Sequence, residues 1–120
     1  PKENVMTYVS GFVTPVKISD RERYIASARA ASPLFKEYGV LSHVEAWGDN
    51  LPAGKLTDFR MAVKAEEGET VVFSWVVWPD KATADAAEGK MMSDPRMEQL
   101  PMPFDGKRMI LGGFQIVSGA

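Results

Sequence analysis

The sequence contains no cysteine and a single histidine, His43. A chain without cysteine has no disulfide bond, no thiolate nucleophile and no cysteine ligands for zinc or an iron–sulfur cluster. One histidine also excludes a multi-histidine metal site within one subunit. Because no glycine-rich nucleotide fingerprint is present either, we expect neither metal nor haem nor flavin and assign no cofactor.

The chain also lacks an excess of charge and a long hydrophobic run. Its 14 basic and 16 acidic residues give a net charge of -2 without a basic cluster, so we expect no nucleic-acid partner. The longest apolar run, residues 71–78, is far shorter than the roughly 20 residues of a membrane span. Residues 1–10 have no basic-then-apolar leader, and we expect a cytoplasmic protein without membrane contact.

The length of 120 residues predicts one domain that spans 1–120. Strands are predicted where β-branched and aromatic residues concentrate, at 5–15, 40–47, 69–78 and 107–117. Helices are predicted from about residue 20 to 38 and at 81–93, followed by one helical turn from Pro95. The resulting order β-α-β-β-α-β is that of an α+β, ferredoxin-like subunit, in which two helices cover one face of an antiparallel four-stranded sheet.

Local signals predict where the helices begin and end. Ser19 and Glu22 have the spacing of a capping box, and Asp80 precedes the alanine-rich helix as an N-cap. Pro33 predicts a kink in the first helix, and Gly39 predicts its end.

The connection 48–68 is long and rich in glycine and proline, as functional loops often are. Within it, residues 58–64 fit either a short helix, capped by Thr57 or Asp58, or a short strand. The helix is favoured, and the alternative stays open.

Both faces of the predicted sheet are apolar. In the third strand Phe73 and Trp75 alternate with Val72 and Val76, so each face carries apolar side chains. At ~25 cal/mol for each Å² of apolar surface, exposing several of them opposes a large part of the stability of a small domain. We therefore expect a homodimer that pairs through one sheet face, without being able to assign that face from the sequence.

Several long segments carry a resemblance to a known family: YVSGFVTPV (8–16), LFKEYGVL (34–41), residues 44–81, SDPRM (93–97) and MPFDGKRMILGGF (102–114). On these segments the chain resembles the uncharacterised bacterial family DUF1428, within the dimeric α/β-barrel superfamily. The resemblance implies a ferredoxin-like subunit that pairs face to face through its sheet. It implies no activity, because other families on this barrel include cofactor-free monooxygenases, haem-degrading enzymes, dye-decolorising peroxidases and isomerases. Where the family usually has aspartate the chain has Ser10, so the resemblance gives that position no acid role.

The Gly-Lys pairs in the segments 48–56 and 101–109 lack the spacing and the hydroxyl residue of a phosphate loop. We interpret both segments as turns. Asp105 predicts a tight turn into the last strand, and the glycine pair at 112–113 predicts a bulge or a close backbone approach. The functional alternative is that Arg108 binds an anionic group of a ligand.

His43, Glu45 and Trp47 alternate along the second predicted strand, so their side chains share one face. A histidine beside a carboxylate can transfer protons, and His43 and Glu45 are therefore the candidate catalytic residues. The candidate substrate-binding residues are Trp47, Arg60, Arg108 and Tyr8. The alternative is a structural role on an edge strand, in which Glu45 pairs with Arg60 or Arg96.

The first functional hypothesis is a homodimeric protein that binds a small apolar or aromatic molecule, either between sheet and helices or beneath the connection 48–68. The alternative is a cofactor-independent enzyme of the monooxygenase or isomerase type that uses the same cleft. An RNA-recognition domain shares the element order, but it requires a basic-Gly-aromatic motif on the third strand, which residues 70–78 lack.

Overall fold

An antiparallel four-stranded sheet forms the centre of the computed structural model, which describes residues 7–119. The strands are β1 (Tyr8–Lys17), β2 (Ser42–Trp47), β3 (Glu69–Trp78) and β4 (Ile110–Gln115), in the order β2-β3-β1-β4. The helices are α1 (Arg21–Glu37), α2 (Phe59–Ala62), α3 (Lys81–Ser93) and α4 (Pro95–Glu98). The predicted α+β, ferredoxin-like architecture is confirmed. Val5, the predicted first residue of the first strand, lies outside the described residues.

Aspartate side chains cap α2, α3 and α4. Asp58 and Asp80 each accept a hydrogen bond of 2.7 Å from the backbone amide three residues further along. Asp94 accepts one from the backbone amide of Arg96 at 2.9 Å. The N-cap predicted for α3 is confirmed, and the undecided segment near residue 60 is a helix, as favoured.

The start of α1 differs from the prediction. A 3₁₀ turn, Ile18–Asp20, precedes the helix, and the N-cap Asp20 makes no capping side-chain hydrogen bond. The predicted capping box of Ser19 and Glu22 is wrong, because Ser19 lies within that turn. The Asp20 carboxylate instead accepts a hydrogen bond of 2.9 Å from Arg23.

The end of α1 follows the prediction. The helix continues through Pro33 to Glu37, and Gly39 follows its C-cap with φ of +110°, a left-handed conformation that favours glycine. A β-carbon at Gly39 would lie 2.6 Å from Cγ2 of Thr83. The glycine therefore ends the helix and also allows it to approach α3 closely.

The entry into β4 explains why this strand begins later than predicted. Residues 105–108 form a turn, in which the amide of Arg108 donates to the carbonyl of Asp105 at 3.2 Å. The strand begins only at Ile110. At Gly113 a side chain would collide with the Tyr8 hydroxyl. The predictions of a tight turn and of a close backbone approach are confirmed.

The sheet has one face under the helices, here named the covered face, and a second, here named the open face. Val76 and Trp78 lie on the covered face and pack with Leu34 of α1 and Ala87 of α3. The strand register places on the same face Tyr8, Ser10, Phe12, His43, Glu45 and Ser74. The open face carries the residues between them, among which are Val9, Val44, Phe73, Trp75, Ile110 and Phe114.

Burial differs between the two faces. On the covered face Trp78 is 2% exposed and Val76 5% exposed, and a fully buried side chain of this kind contributes about 1.5–3 kcal/mol to stability. On the open face Phe73 is 46% exposed and Phe114 59% exposed. Helix α2 contacts this face, where the Phe59 ring lies 6.1 Å from that of Phe73.

Candidate functional site

A cavity of about 600 Å³ lies between the covered face and the helices. Phe12 and Trp78 contribute to it from the sheet, and α1, α3 and the segment 97–109 form its other walls. Four methionines line it: Met91, Met97, Met102 and Met109. The lining is mostly apolar, and the unbranched methionine side chain adapts readily to irregular shapes.

Polar side chains meet in the wall of the cavity formed by α1 and β2. The Tyr24 hydroxyl donates to Oε1 of Glu45 at 2.6 Å, and Nε2 of His43 lies 2.7 Å from Oε2 of the same carboxylate. The His43 side chain is 7% exposed and that of Glu45 26% exposed. The structure therefore brings the two predicted catalytic residues together and adds Tyr24 as a third member of the polar chain Tyr24–Glu45–His43.

Charge and burial determine which groups donate in this polar chain. Burial raises the pKa of the Tyr24 phenol well above its usual range, and the hydrogen bond to Glu45 raises it further, so the phenol stays a donor. A neutral His43 that donates its Nε2–H to Glu45 leaves the lone pair of Nδ1 available.

Within the described residues, the second ring nitrogen of His43 is unpaired and not fully buried. Among residues 7–119, Nδ1 has no hydrogen-bond partner, and no side-chain polar atom in that range is both fully buried and unpaired. The edge-to-face contact with the Phe35 ring, at 5.0 Å between centroids, holds the imidazole plane. His43 can therefore accept a hydrogen bond or a proton from a molecule at this wall.

A second pocket, of about 360 Å³, borders the same polar chain and is lined by Trp47 and Arg29 among others. The Trp47 ring lies 6.2 Å from that of Tyr24, and the Arg21 guanidinium lies 5.6 Å from the Trp47 centroid. The structure thus places Trp47 beside the polar chain but outside the lining of the larger cavity.

Tyr8, another predicted binding residue, lines the larger cavity where β4 pairs with β1. Close to it, Nε1 of Trp78 donates to Oγ of Ser10 at 3.0 Å. Ser10, which replaces the aspartate usual in the resembling family, therefore serves as the partner of a buried indole.

The structure does not bring Arg60 and Arg108 to either pocket. Arg108 donates to both carboxylate oxygens of Glu69 at 2.8 Å and to Asp105 at 2.9 Å. Arg60 donates to the backbone carbonyls of Glu69 at 2.6 Å and Glu66 at 3.0 Å. Both guanidinium groups fasten the start of β3, and the hydrogen bonds from Arg108 hold the pKa of the Glu69 carboxyl below its usual value.

The predicted ion pair between Glu45 and an arginine is wrong. Arg96 pairs with Glu37 and Asp94, both at 2.9 Å, and the two oxygens of Glu45 bind neutral or titratable donors instead. The edge position predicted for the strand of Glu45 is confirmed, because β2 lies at one end of the sheet.

Sequence reasoning missed Tyr24 as a member of the candidate site. The sequence signal that could have found it is a hydroxyl-bearing side chain on the helix face that packs against the sheet. Tyr24 is 8% exposed there. Its pairing with Glu45 depends on how α1 is placed over β2, and no local pattern reports that placement.

Metal and membrane sites are not found in the described part of the chain. Among residues 7–119, no three His, Cys, Asp or Glu side chains lie close enough to hold a metal ion. The helices within that range include none that is long and apolar enough to cross a membrane.

Comparison with known sequences gives a family. The model of the family described as "Protein of unknown function (DUF1428)" matches residues 7–106. The chain is 57% identical over 114 residues to "Uncharacterized protein YbaA" of Escherichia coli K12. The alignment covers 93% of this chain and 97% of that protein. A protein of the same name from Shigella flexneri matches equally well.

Comparison with solved structures supports the fold. A dimeric ferredoxin-like protein from an uncultured marine organism matches with a TM-score of 0.60 and 15% identity, over 95% of this chain and 99% of that chain. A variant of SnoaB, a cofactor-independent oxygenase from Streptomyces nogalater, matches with a TM-score of 0.53 and 15% identity, over 94% of this chain and 95% of that chain. At such low identity the likeness concerns the fold alone.

Proposed function

The chain belongs to the DUF1428 family of proteins of unknown function, and from that premise we propose that it is a homodimer that binds a small, mostly apolar organic molecule in the cavity of each subunit. The observation that carries this proposal is the cavity of about 600 Å³ between the covered face and the helices. Its size lies within the range of about 300–1,000 Å³ that is usual for ligand pockets.

The character of the lining supports binding rather than an accidental void. Aromatic and methionine side chains form most of the surface, and the polar chain Tyr24–Glu45–His43 lies in one wall. An apolar surface with a few oriented polar groups is typical of sites for organic molecules. The apolar surface supplies affinity, and the polar chain supplies orientation.

The open face supports the dimeric part of the proposal. Phe73, Ile110 and Phe114 lie there and are each about half exposed, although they are large apolar side chains. A second copy that places the same face against this one removes these side chains from water on both subunits. The dimeric ferredoxin-like protein of similar fold supports a dimer, without indicating which face forms it.

The test is a thermal-shift screen of neutral one- to three-ring aromatic compounds, after native mass spectrometry of the purified protein for a co-purifying compound. A compound at tenfold excess over its dissociation constant stabilises the folded protein by about 1.4 kcal/mol, which raises Tm by several degrees. Ala28 of α1 lines the cavity, whereas Ala26 of the same helix is exposed. Ala28→Phe should abolish the shift, and Ala26→Phe should retain it.

Two results would overturn the binding proposal. One is a screen in which no compound raises the Tm of the wild-type protein and nothing co-purifies. The other is a binder that raises the Tm of Ala28→Phe as much as that of Ala26→Phe, because such a binder does not occupy the cavity.

A second candidate function, an enzyme of the isomerase or monooxygenase type without cofactor, is favoured by the contact of 2.7 Å between His43 and Glu45. In such an enzyme Nδ1 of His43 takes a proton from the bound molecule, and Glu45 stabilises the imidazolium that forms. An isomerase returns the proton to another atom of the substrate. In a monooxygenase the deprotonated substrate itself reduces O₂, one oxygen atom enters the product, and the other leaves as water with two hydrogens of the substrate.

Product analysis separates catalysis from binding. Each binder is incubated with the protein in air and under nitrogen, and the solution is examined by mass spectrometry. For an enzyme, His43→Ala and Glu45→Gln should lower turnover while binding persists. A binder recovered unchanged after prolonged incubation would argue against catalysis and leave the binding proposal intact.

A further inference from the structure

The formally charged side chains that line the cavity are all acidic. The described residues that line it include the carboxylates of Glu45, Asp85 and Glu88 but neither lysine nor arginine. Lys81 is not part of the lining: its ammonium group is paired with Asp85 at 2.8 Å, and both side chains are more than 60% exposed, so it offers no buried cation. An anionic ligand would therefore lose its hydration without gaining a cationic partner, which is strongly unfavourable.

The hydrogen-bonding groups at the polar chain favour a ligand that donates a hydrogen bond. Both oxygens of Glu45 already accept hydrogen bonds, from Tyr24 and His43. The Ser27 hydroxyl donates to the carbonyl of Pro101. At the polar chain the unused group is Nδ1 of His43, which accepts a hydrogen bond when the ring donates through Nε2. A ligand that matches this wall therefore brings a donor.

From these two features we infer that the cavity selects an uncharged aromatic molecule whose hydroxyl group donates to Nδ1 of His43, and that it rejects aromatic carboxylates. The inference rests on the proposed binding function and specifies its ligand class. Specificity then has two parts. The ligand hydroxyl that donates to His43 is attractive, whereas an anionic ligand is repelled because its charge lies among carboxylates without a cationic partner.

Three probes of nearly equal shape test the ligand class: 2-naphthol, 2-methylnaphthalene and 2-naphthoate. At pH 7 the phenol is neutral and the carboxylic acid is ionised. Equilibrium dialysis against the wild-type protein measures the dissociation constant of each. We expect 2-naphthol to bind about three- to tenfold more tightly than 2-methylnaphthalene, because it gains one hydrogen bond. It should bind at least about tenfold more tightly than 2-naphthoate, because that anion is desolvated without a partner.

Variants locate each part of the preference. His43→Phe keeps an aromatic ring against Phe35 and should make 2-naphthol bind only as tightly as 2-methylnaphthalene. Glu88→Gln, at the wall of the cavity, should improve 2-naphthoate binding, whereas Glu67→Gln removes the same charge from a turn outside the lining and should not. The wild-type series alone keeps the inference testable if a variant fails to fold.

The outcomes separate this inference from the binding proposal. If 2-methylnaphthalene binds but 2-naphthol binds no more tightly, or if 2-naphthoate binds as tightly as 2-naphthol, the inferred ligand class is wrong and the cavity still binds apolar molecules. If none of the three probes binds and the wider screen also fails, the proposed function is wrong, and the inference fails with it.

Discussion

The covered and open faces of the sheet both carry large apolar side chains, such as Trp78 and Phe73, but they differ in burial and in the polar side chains beside them. The covered face, under the helices, carries the polar side chains Ser10, Ser74, His43 and Glu45, together with a cavity. The open face, free of the two long helices, carries large apolar side chains, of which Phe73 is 46% exposed and Phe114 59% exposed. In a half-buried antiparallel sheet the apolar residues normally face the helices and the polar ones face water.

This difference suits each face to a different task. A polar side chain under the helices lowers stability unless it is hydrogen-bonded, and Ser10, His43 and Glu45 all are. An apolar side chain on the open face lowers solubility unless a partner covers it. The covered face is therefore suited to ligand chemistry, and the open face to association.

The largest expected effect comes from a charge on the covered face. Val76→Asp places a carboxylate at a position that is 5% exposed, within the cluster around Trp78. We expect a loss of at least about 3 kcal/mol, which is enough to unfold a small domain. Circular dichroism and urea denaturation measure it, and a folded variant with unchanged midpoint would show that the two faces are wrongly assigned.

The same charge on the open face should act differently. Phe73→Asp lies on the same strand, β3, but its side chain points away from the two long helices. We expect it to keep the secondary structure and to lose the dimer, because each subunit then presents a carboxylate to its copy. Light scattering coupled to gel filtration should report the mass of one chain instead of two. A wild-type monomer at low micromolar concentration would contradict the role given to this face.

A smaller effect concerns the ion pair that fastens the start of β3. Glu69→Gln weakens the hydrogen bonds from Arg108 to a side chain that is 7% exposed, and we expect a loss of about 2–3 kcal/mol at pH 7. Because the folded protein holds the pKa of Glu69 below the usual 4.5, the unfolded chain binds the extra proton more readily. The ion pair contributes its full stabilisation above pH 4.5, and this contribution is lost as the pH falls through the lower pKa that Glu69 has in the folded protein. Urea midpoints between pH 7 and pH 3 should therefore fall less steeply for Glu69→Gln, and equal slopes would contradict the pairing.

The smallest effect concerns the polar chain itself. Tyr24→Phe removes the donor to Oε1 of Glu45 but keeps the ring that packs against Trp47 and Phe104. Because Glu45 is 26% exposed and can bind water instead, we expect a loss of only about 1 kcal/mol. Urea denaturation measures this loss. The affinity for 2-naphthol should fall as well, because the Glu45 carboxylate that orients His43 is then held less firmly. An unchanged affinity would show that Tyr24 does not contribute to the site.

The architecture could be predicted from the sequence because its signals are local. The bounds of β3 and α3 are as predicted, since Pro79 and Asp80 separate a β-branched run from an alanine-rich one. The capping box at Ser19 failed because the chain leaves β1 through a 3₁₀ turn, whose tight bend changes which amides need a partner.

The candidate site could be predicted only in part. The alternation of His43 and Glu45 on one strand is a local pattern, and the structure joins the two side chains. The partner Tyr24 and the location of Arg60 and Arg108 outside the cavity depend on contacts between distant segments. A charged residue in a long connection looks the same in the sequence whether it binds a ligand or a backbone carbonyl.

The most direct test of the central claim is where a bound molecule lies, and the methionine methyl groups report it. Protein labelled with ¹³C at these methyl groups is titrated with 2-naphthol, and the signals are assigned by single Met→Leu substitutions. The cavity contains Met91, Met97, Met102 and Met109, whereas the exposed Met61 and Met92 lie outside its lining. We predict that the four cavity signals shift and saturate together while those of Met61 and Met92 stay in place. A ligand that shifts Met61 in α2, beside the open face, and leaves the four cavity signals unchanged would contradict a binding site under the covered face.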